Sequence, residues 1–165
     1  MKARPDDPSP SAGWFEGREH CLPVRVYYED TDFTGLVYHA NYVRYFERGR
    51  SDFLRMIGAD HKLLLERDDP AAFVVTRITL DYRRPARIDD ALLVRTTYDS
   101  FRGAKLTVRQ RIYRDGLLLA EAVVDAACID LQGRPRRPPS VLVERVKPWL
   151  APDPPPSRQA ERDGS

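Results

Sequence analysis

The chain has 165 residues, with 27 Lys and Arg against 25 Asp and Glu. A net charge of +2 supplies no field that singles out nucleic acid or an anionic membrane surface as partner, and no apolar run approaches the roughly 18 residues of a membrane span. Met1 to Gly13 lacks the continuous apolar segment of a secretory leader, so the expected compartment is cytoplasmic, with Cys21 and Cys128 as reduced thiols.

Prolines bound the folded part. Pro5, Pro8 and Pro10 crowd the start and eight more lie between Pro135 and Pro156. Residues 1–20 and 150–165 are polar and proline-rich, too poor in apolar side chains to offset the entropy of ordering, and are expected to be disordered. One domain over residues 21–149 remains.

Leu22 to Tyr28 alternates as a strand, and Glu29 to Gly35 (E-D-T-D-F-T-G) reads as a loop. From Asn41 to Ile57 the period becomes helical. Tyr42, Phe46, Gly49, Phe53 and Ile57 share one face, and Arg44, Arg48, Asp52 and Arg55 lie opposite. Asn41 fits an N-cap, Gly58 fits the residue past the C-terminus, and Arg48 with Asp52 fits an (i, i+4) ion pair. Gly49 costs about 1 kcal/mol relative to Ala in a helix, so its place on the apolar face predicts a close approach by a sheet. A short second helix is expected at His61–Arg67. Four strands follow, at Phe73–Tyr82, Ala91–Ser100, Lys105–Arg114 and Leu117–Leu131, with Asp115-Gly116 as a two-residue hairpin turn. Leu118, Ala120, Ala122, Val124, Ala126 and Cys128 line one face of the last strand, and Val141–Trp149 reads as a terminal helix. The order is α+β: one long helix against a curved antiparallel five-stranded sheet. One helix cannot cover both faces of such a sheet, so an edge or face is left for a partner, and a homo-oligomer is expected.

The segment richest in chemistry is Tyr28 to Arg50. Glu29, Asp30 and Asp32 precede Gly35, and His39 follows seven residues after Asp32, just ahead of the long helix. A helix N-terminus presents free N–H groups and a partial positive charge, which favour an oxyanion. A carboxylate beside it is able to activate water or attack directly, so Asp32 with the amides near His39 amounts to machinery for acyl-group hydrolysis. Asp30 and Asp32 are equally readable as turn formers, and His39 as a structural histidine. A metal site from Asp30, Asp32 and His39 lacks a fourth ligand and a familiar spacing. Glu47, among Arg44, Arg48 and Arg50, reads most simply as an ion-pair member, while His20 falls in the N-terminal arm and His61 beyond the helix. No G-x-S-x-G elbow, Walker loop, G-x-G-x-x-G or Cys-x-x-Cys is present.

The run Y-Y-E-D-T-D-x-x-G-x-V-Y-H-A-N-Y-x-x-Y-F-E-R-x-R resembles the signature of hotdog-fold acyl-CoA thioesterases of the 4-hydroxybenzoyl-CoA thioesterase type. It is most similar to the bacterial branch associated with the Tol-Pal envelope system. The resemblance runs from about Pro23 to Pro148 and includes D-Y-R-R-P-A-R-I-D-D at Asp81–Asp90 and G-R-P-R-R-P-P at Gly133–Pro139. It implies a hotdog fold, an acyl-CoA substrate, no metal or other cofactor, and dimers that pair into tetramers with sites at the dimer interface. It further implies Asp32 as nucleophile or general base, and His39 as donor of its backbone N–H to the thioester oxygen. Gly35, Val37 and Tyr38 fall in the substrate-binding part of the motif, and Phe33-Thr34 stands where relatives often carry smaller residues. Coenzyme A phosphates call for basic residues at a pocket mouth, for which Arg83, Arg84, Arg87, Arg102 and Lys105 are candidates by their place at strand ends. Arg134, Arg136 and Arg137 form a further basic cluster. An acyl carrier protein is a second candidate partner, and a non-catalytic binder of acyl-CoA or of an envelope-associated partner the competing reading.

Overall fold

The structure, a computed structural model, describes residues 12–152. Two short strands open it, β1 (Trp14–Glu16) and β2 (Glu19–Arg25), followed by a single 3-10 turn at Tyr28–Asp30. The long helix α1 (Asn41–Met56) and the short α2 (His61–Leu65) come next. Then β3 (Ala72–Tyr82), β4 (Ala91–Arg102), β5 (Lys105–Arg114) and β6 (Leu117–Ile129) run consecutively before α3 (Ser140–Val146) and a final 3-10 turn at Lys147–Trp149. All pairings are antiparallel, and the strand order is β1-β2-β4-β5-β6-β3.

The sheet therefore has six strands, against the five expected. The extra strand arises in the segment expected to be a disordered arm. Phe15 explains why it is held: its ring stacks on Trp149 at 4.0 Å and meets Phe53 edge-on at 5.2 Å. The first eleven residues and those from 153 onward, which carry the remainder of the two expected disordered ends, lie outside the described residues.

Alternation sorts the two faces of the sheet. Leu92, Val94, Thr96 and Tyr98 of β4, with Leu106, Val108, Gln110 and Ile112 of β5, are buried beneath α1. Among the described residues the other face carries ion pairs and no second layer: Arg109 with Asp99 at 2.6 Å, Lys105 with Asp125 at 3.1 Å, and Arg83 with Glu121 at 2.6 Å. On β6 a register shift opposite Ile112/Tyr113 turns Leu119 inward, so Leu119 and not Leu118 heads the buried row of Ala120, Ala122, Val124, Ala126 and Cys128. Both cysteines are buried, free thiols.

Gly49 sits where α1 meets the sheet. A Cβ there would lie 2.8 Å from Thr96 Oγ1 and 3.0 Å from both Gln110 Nε2 and Val94 Cγ1. Through this gap Gln110 donates to the Phe46 carbonyl, 2.8 Å, and to Thr96 Oγ1, 2.8 Å, binding helix backbone to two strands.

Two side chains on the faces of α1 differ from expectation. Tyr45 is fully buried and widens the apolar face. Asp52, expected on the solvent face with Arg48, is buried as well; its Oδ2 meets His20 Nε2 at 2.8 Å and also accepts from Gly13 N, and its Oδ1 accepts from Arg55 at 2.8 Å. His20 is thus part of the fold. The β1–β2 hairpin brings a histidine onto the helix, which no period within α1 reveals.

Candidate functional site

The loop ahead of α1 is tightly built. Thr31 bridges Val37, and Leu36 bridges Arg87. Gly35 takes φ +77, a left-handed conformation that suits glycine, and its N–H donates to the Asp32 carbonyl at 3.0 Å. Two acids of D-T-D separate sharply in this frame. Asp30 is buried: its Oδ1 accepts from Asn41 Nδ2 at 2.8 Å, its Oδ2 from Tyr27 N at 2.8 Å, and its carbonyl from Tyr38 N at 2.9 Å. It is a structural latch.

Asp32 is exposed. Its Oδ1 accepts from the Thr34 N–H at 2.8 Å and the Thr34 hydroxyl at 2.5 Å, and these bonds hold the carboxyl below its ordinary pKa. No hydrogen bond engages Oδ2 among the described residues.

Asn41 is the first residue of α1 rather than its N-cap. That position belongs to Ala40, whose side chain caps nothing, and no acid stands in the first turn. The His39 and Ala40 amides donate to no carbonyl among the described residues. Among the described residues these two free N–H groups stand just ahead of a sixteen-residue helix, at the pole where its dipole is positive, whereas Asn41 N and Val43 N donate to the Tyr38 and Ala40 carbonyls at 2.8 and 3.2 Å. Two tyrosines fix this end: Tyr82 donates its hydroxyl to the His39 carbonyl at 2.7 Å, and Tyr42 accepts from Ala86 N at 2.9 Å. No local pattern marks either tyrosine as part of this end, although Tyr82 lies in the D-Y-R-R-P run, because both hydrogen bonds join segments more than forty residues apart.

A cleft of about 350 Å³ is lined by Asp32, Val37, His39, Tyr42, Arg83 and Arg84, among others. Five of the expected site residues are therefore brought together. Val37 is buried in its wall, Gly35 shapes the loop, and Tyr38 leaves its half-exposed ring against that of His39 at 4.5 Å. Arg102 and Lys105 are not brought here. They flank the β4–β5 turn, eleven residues along β4 from Ala91, roughly 35 Å at the rise of a strand. Proximity to a strand end does not say which end, and these two lie at the far one. Of the other basic cluster, Arg136 is committed to Asp69 at 2.7 Å. No group of three or more His, Cys, Asp or Glu side chains converges as a metal site among the described residues, so Asp30, Asp32 and His39 do not form the triad considered as a metal site.

Residues 26–158 match the model of the thioesterase-like superfamily. The chain belongs to that superfamily. It is 46% identical over 110 residues to the acyl-CoA thioesterase YbgC of Haemophilus influenzae, covering 67% of this chain and 80% of that protein. It is 44% identical over 127 residues to the acyl-CoA thioester hydrolase YbgC of Escherichia coli, covering 76% and 93% respectively. Among solved structures, a probable thioesterase from Bartonella henselae superposes with a TM-score of 0.70 at 41% identity, over 73% of this chain and 99% of that one. The helix-on-sheet architecture above is the hotdog fold of these thioesterases. No helix among the described residues is long and apolar enough to cross a membrane.

Proposed function

We propose that this chain is an enzyme that hydrolyses acyl-CoA thioesters to a carboxylic acid and free coenzyme A at the Asp32 cleft. One observation carries the reading: an exposed carboxylate kept ionised by Thr34 shares a cleft with the free amides of an uncapped helix and with two arginines. The relatives named acyl-CoA thioesterases, at 44–46% identity, support the substrate class.

In the reaction, the thioester carbonyl oxygen accepts from the His39 N–H, where the helix dipole favours the developing negative charge. As general base, Asp32 takes a proton from water while the resulting hydroxide adds to the carbonyl carbon. Collapse breaks the C–S bond and coenzyme A leaves as a thiolate that takes up the proton. As nucleophile, Asp32 adds directly and water then cleaves the mixed anhydride. Neither route uses a resident metal or cofactor. Arg83 and Arg84 meet the coenzyme A phosphates. Within the superfamily, the D-T-D to E-R-x-R run supports the 4-hydroxybenzoyl-CoA thioesterase type, and the branch associated with the Tol-Pal system, acting in the cytoplasm.

The site is completed by a second copy. β3 is an edge strand of eleven residues with Val74 and Val75 exposed, and Tyr27, Tyr28 and Phe33 stand exposed around the Asp32 loop. Such edges and aromatics support a dimer, and dimers pairing into tetramers.

Purified protein assayed for thiol release with short, long and aromatic acyl-CoAs tests the reading. Turnover that falls at least about a hundredfold in Asp32→Asn, with the melting curve unchanged, supports it. Undiminished turnover in that variant overturns the assignment, and absence of thiol release from every substrate overturns the function.

A further inference from the structure

The segment that joins β3 to β4, from Arg83 to Asp90, touches both halves of the Asp32 site. Arg87 bridges Leu36, whose carbonyl accepts from Asp32 N at 3.0 Å, and the Ala86 carbonyl accepts from Val37 N at 2.9 Å. On the helix side, Ala86 N donates to the Tyr42 hydroxyl in the first turn of α1. A shift of residues 86–88 therefore moves the carboxylate loop and the start of α1 relative to each other.

Ala86 is the only buried residue of this segment, and one methyl group gives it little apolar anchorage. Hydrogen bonds fix its ends separately. At the β3 end, the Arg83 and Arg84 amides donate to the Leu119 carbonyl at 2.7 and 3.0 Å, which seats both residues on β6. At the β4 end the anchor is Asp90. Its Oδ2 accepts from Arg87 N at 2.8 Å, closing the segment on itself, and from Arg114 Nη1 at 2.7 Å. The same Nη1 donates to the Pro85 carbonyl at 3.3 Å, so one guanidinium at the end of β5 clasps the segment at both 85 and 90. The Arg114 and Asp90 side chains are 26 and 21 % exposed, and a pair so shielded is screened less than a fully exposed one. Neither residue lines the Asp32 cleft.

We propose that Arg114 is a positioning residue for thioester hydrolysis: through Asp90 it holds residues 86–88 so that the Asp32 carboxylate and the amides ahead of α1 keep their mutual distance. The inference rests on hydrolysis at the Asp32 cleft and adds to it a residue on a distant strand.

Steady-state thiol release by the full chain tests it, with kcat taken per site and sites counted by binding of a non-hydrolysable acyl-CoA thioether. Arg114→Ala lowers kcat about tenfold, since misplacement of reacting groups is costly, and leaves KM within about twofold, because Arg84 keeps its own anchor on β6. Asp90→Asn carries the same expectation and serves if Arg114→Ala is too unstable to purify. The double variant falls no further than either single one, as two members of one contact require. Arg114→Lys, which keeps a charge opposite Asp90, recovers part of the loss. Arg109→Ala removes the ion pair with Asp99 on the same sheet and leaves kcat unchanged. Unchanged kcat per site in Arg114→Ala and Asp90→Asn overturns the proposal, as does an equal fall in Arg109→Ala or an additive fall in the double variant. A wild type that releases no thiol overturns the hydrolysis reading and this one with it, whereas an active wild type matched by Arg114→Ala overturns this one alone.

Discussion

Asn41 donates from Nδ2 to Asp30 Oδ1 at 2.8 Å, tying the first residue of α1 to the acid two positions before Asp32. The two acids therefore answer differently to substitution. Asp30→Ala strips partners from Asn41 Nδ2 and Tyr27 N in a buried setting, and is expected to lower stability by about 2–3 kcal/mol. Asp32→Asn is expected to leave stability essentially unchanged, because the residue is exposed. Urea denaturation of both variants, beside thiol-release assays, separates latch from catalyst.

Gly49→Ala sets two effects against each other. Alanine gains about 1 kcal/mol of helix propensity. Its Cβ meets Thr96 Oγ1 and Gln110 Nε2, whose side chains are buried and mutually bonded, so overpacking of about 1–3 kcal/mol opposes it. Net destabilisation of about 1 kcal/mol is expected in chemical denaturation; a stabilised variant would show that the helix shifts away from the sheet at no cost.

His20 makes stability depend on pH. Burial lowers its pKa, and outweighs the Asp52 carboxylate that would raise it. Below about pH 6.5 the unfolded chain then binds the proton more readily than the folded one. The stability that neutral His20 contributes is thus present above pH 6.5 and is lost as the pH falls through the lower folded value. Melting temperatures between pH 7.5 and 5.5 are expected to fall more steeply for the wild type than for His20→Gln. Parallel profiles would contradict the assignment.

Arg83 and Arg84 differ in their freedom to meet a phosphate. Arg83 is paired with Glu121 at 2.6 Å, whereas among the described residues the Arg84 guanidinium makes one long contact, to the Leu118 carbonyl at 3.4 Å. Arg84→Ala is expected to raise KM for an acyl-CoA about tenfold with kcat little changed, and Arg83→Ala less. Steady-state kinetics with acyl-CoA and with an acyl-pantetheine lacking the phosphates checks this, since the truncated substrate is expected not to distinguish Arg84→Ala from wild type.

Tyr82→Phe removes the hydroxyl that donates to the His39 carbonyl. The tyrosine is half exposed, so stability is expected to change by less than about 1 kcal/mol. Loss of kcat at constant KM would follow from looser placement of the amide donor, and unchanged kcat would assign Tyr82 to the fold alone.

Elements with strong local signals were legible in the sequence. The α1 face, the Asp115-Gly116 turn, now seen with φ 49 and 75, and the four long strands all rest on periods or turn chemistry within a dozen residues. The grouping of Asp32, Val37 and His39 followed from their places on one loop. What escaped depends on the meeting of distant segments. β1 is held by Phe15 against Trp149, 134 residues later, so proline-rich surroundings gave the wrong reading. The helical period alone places Asp52 toward solvent, because its partner, His20, lies 32 residues away. Arg102 and Lys105 share a strand-end pattern with Arg83 and Arg84, and that pattern does not tell one end of a sheet from the other.

The stacking of Phe15 on Trp149, with Arg18 donating to the Leu150 carbonyl at 2.8 Å, brings the beginning and the end of the described chain onto one patch. Topologically the domain is close to a ring. A permuted domain, joined across this patch and opened at Asp115-Gly116, is then expected to retain every contact of α1 with the sheet.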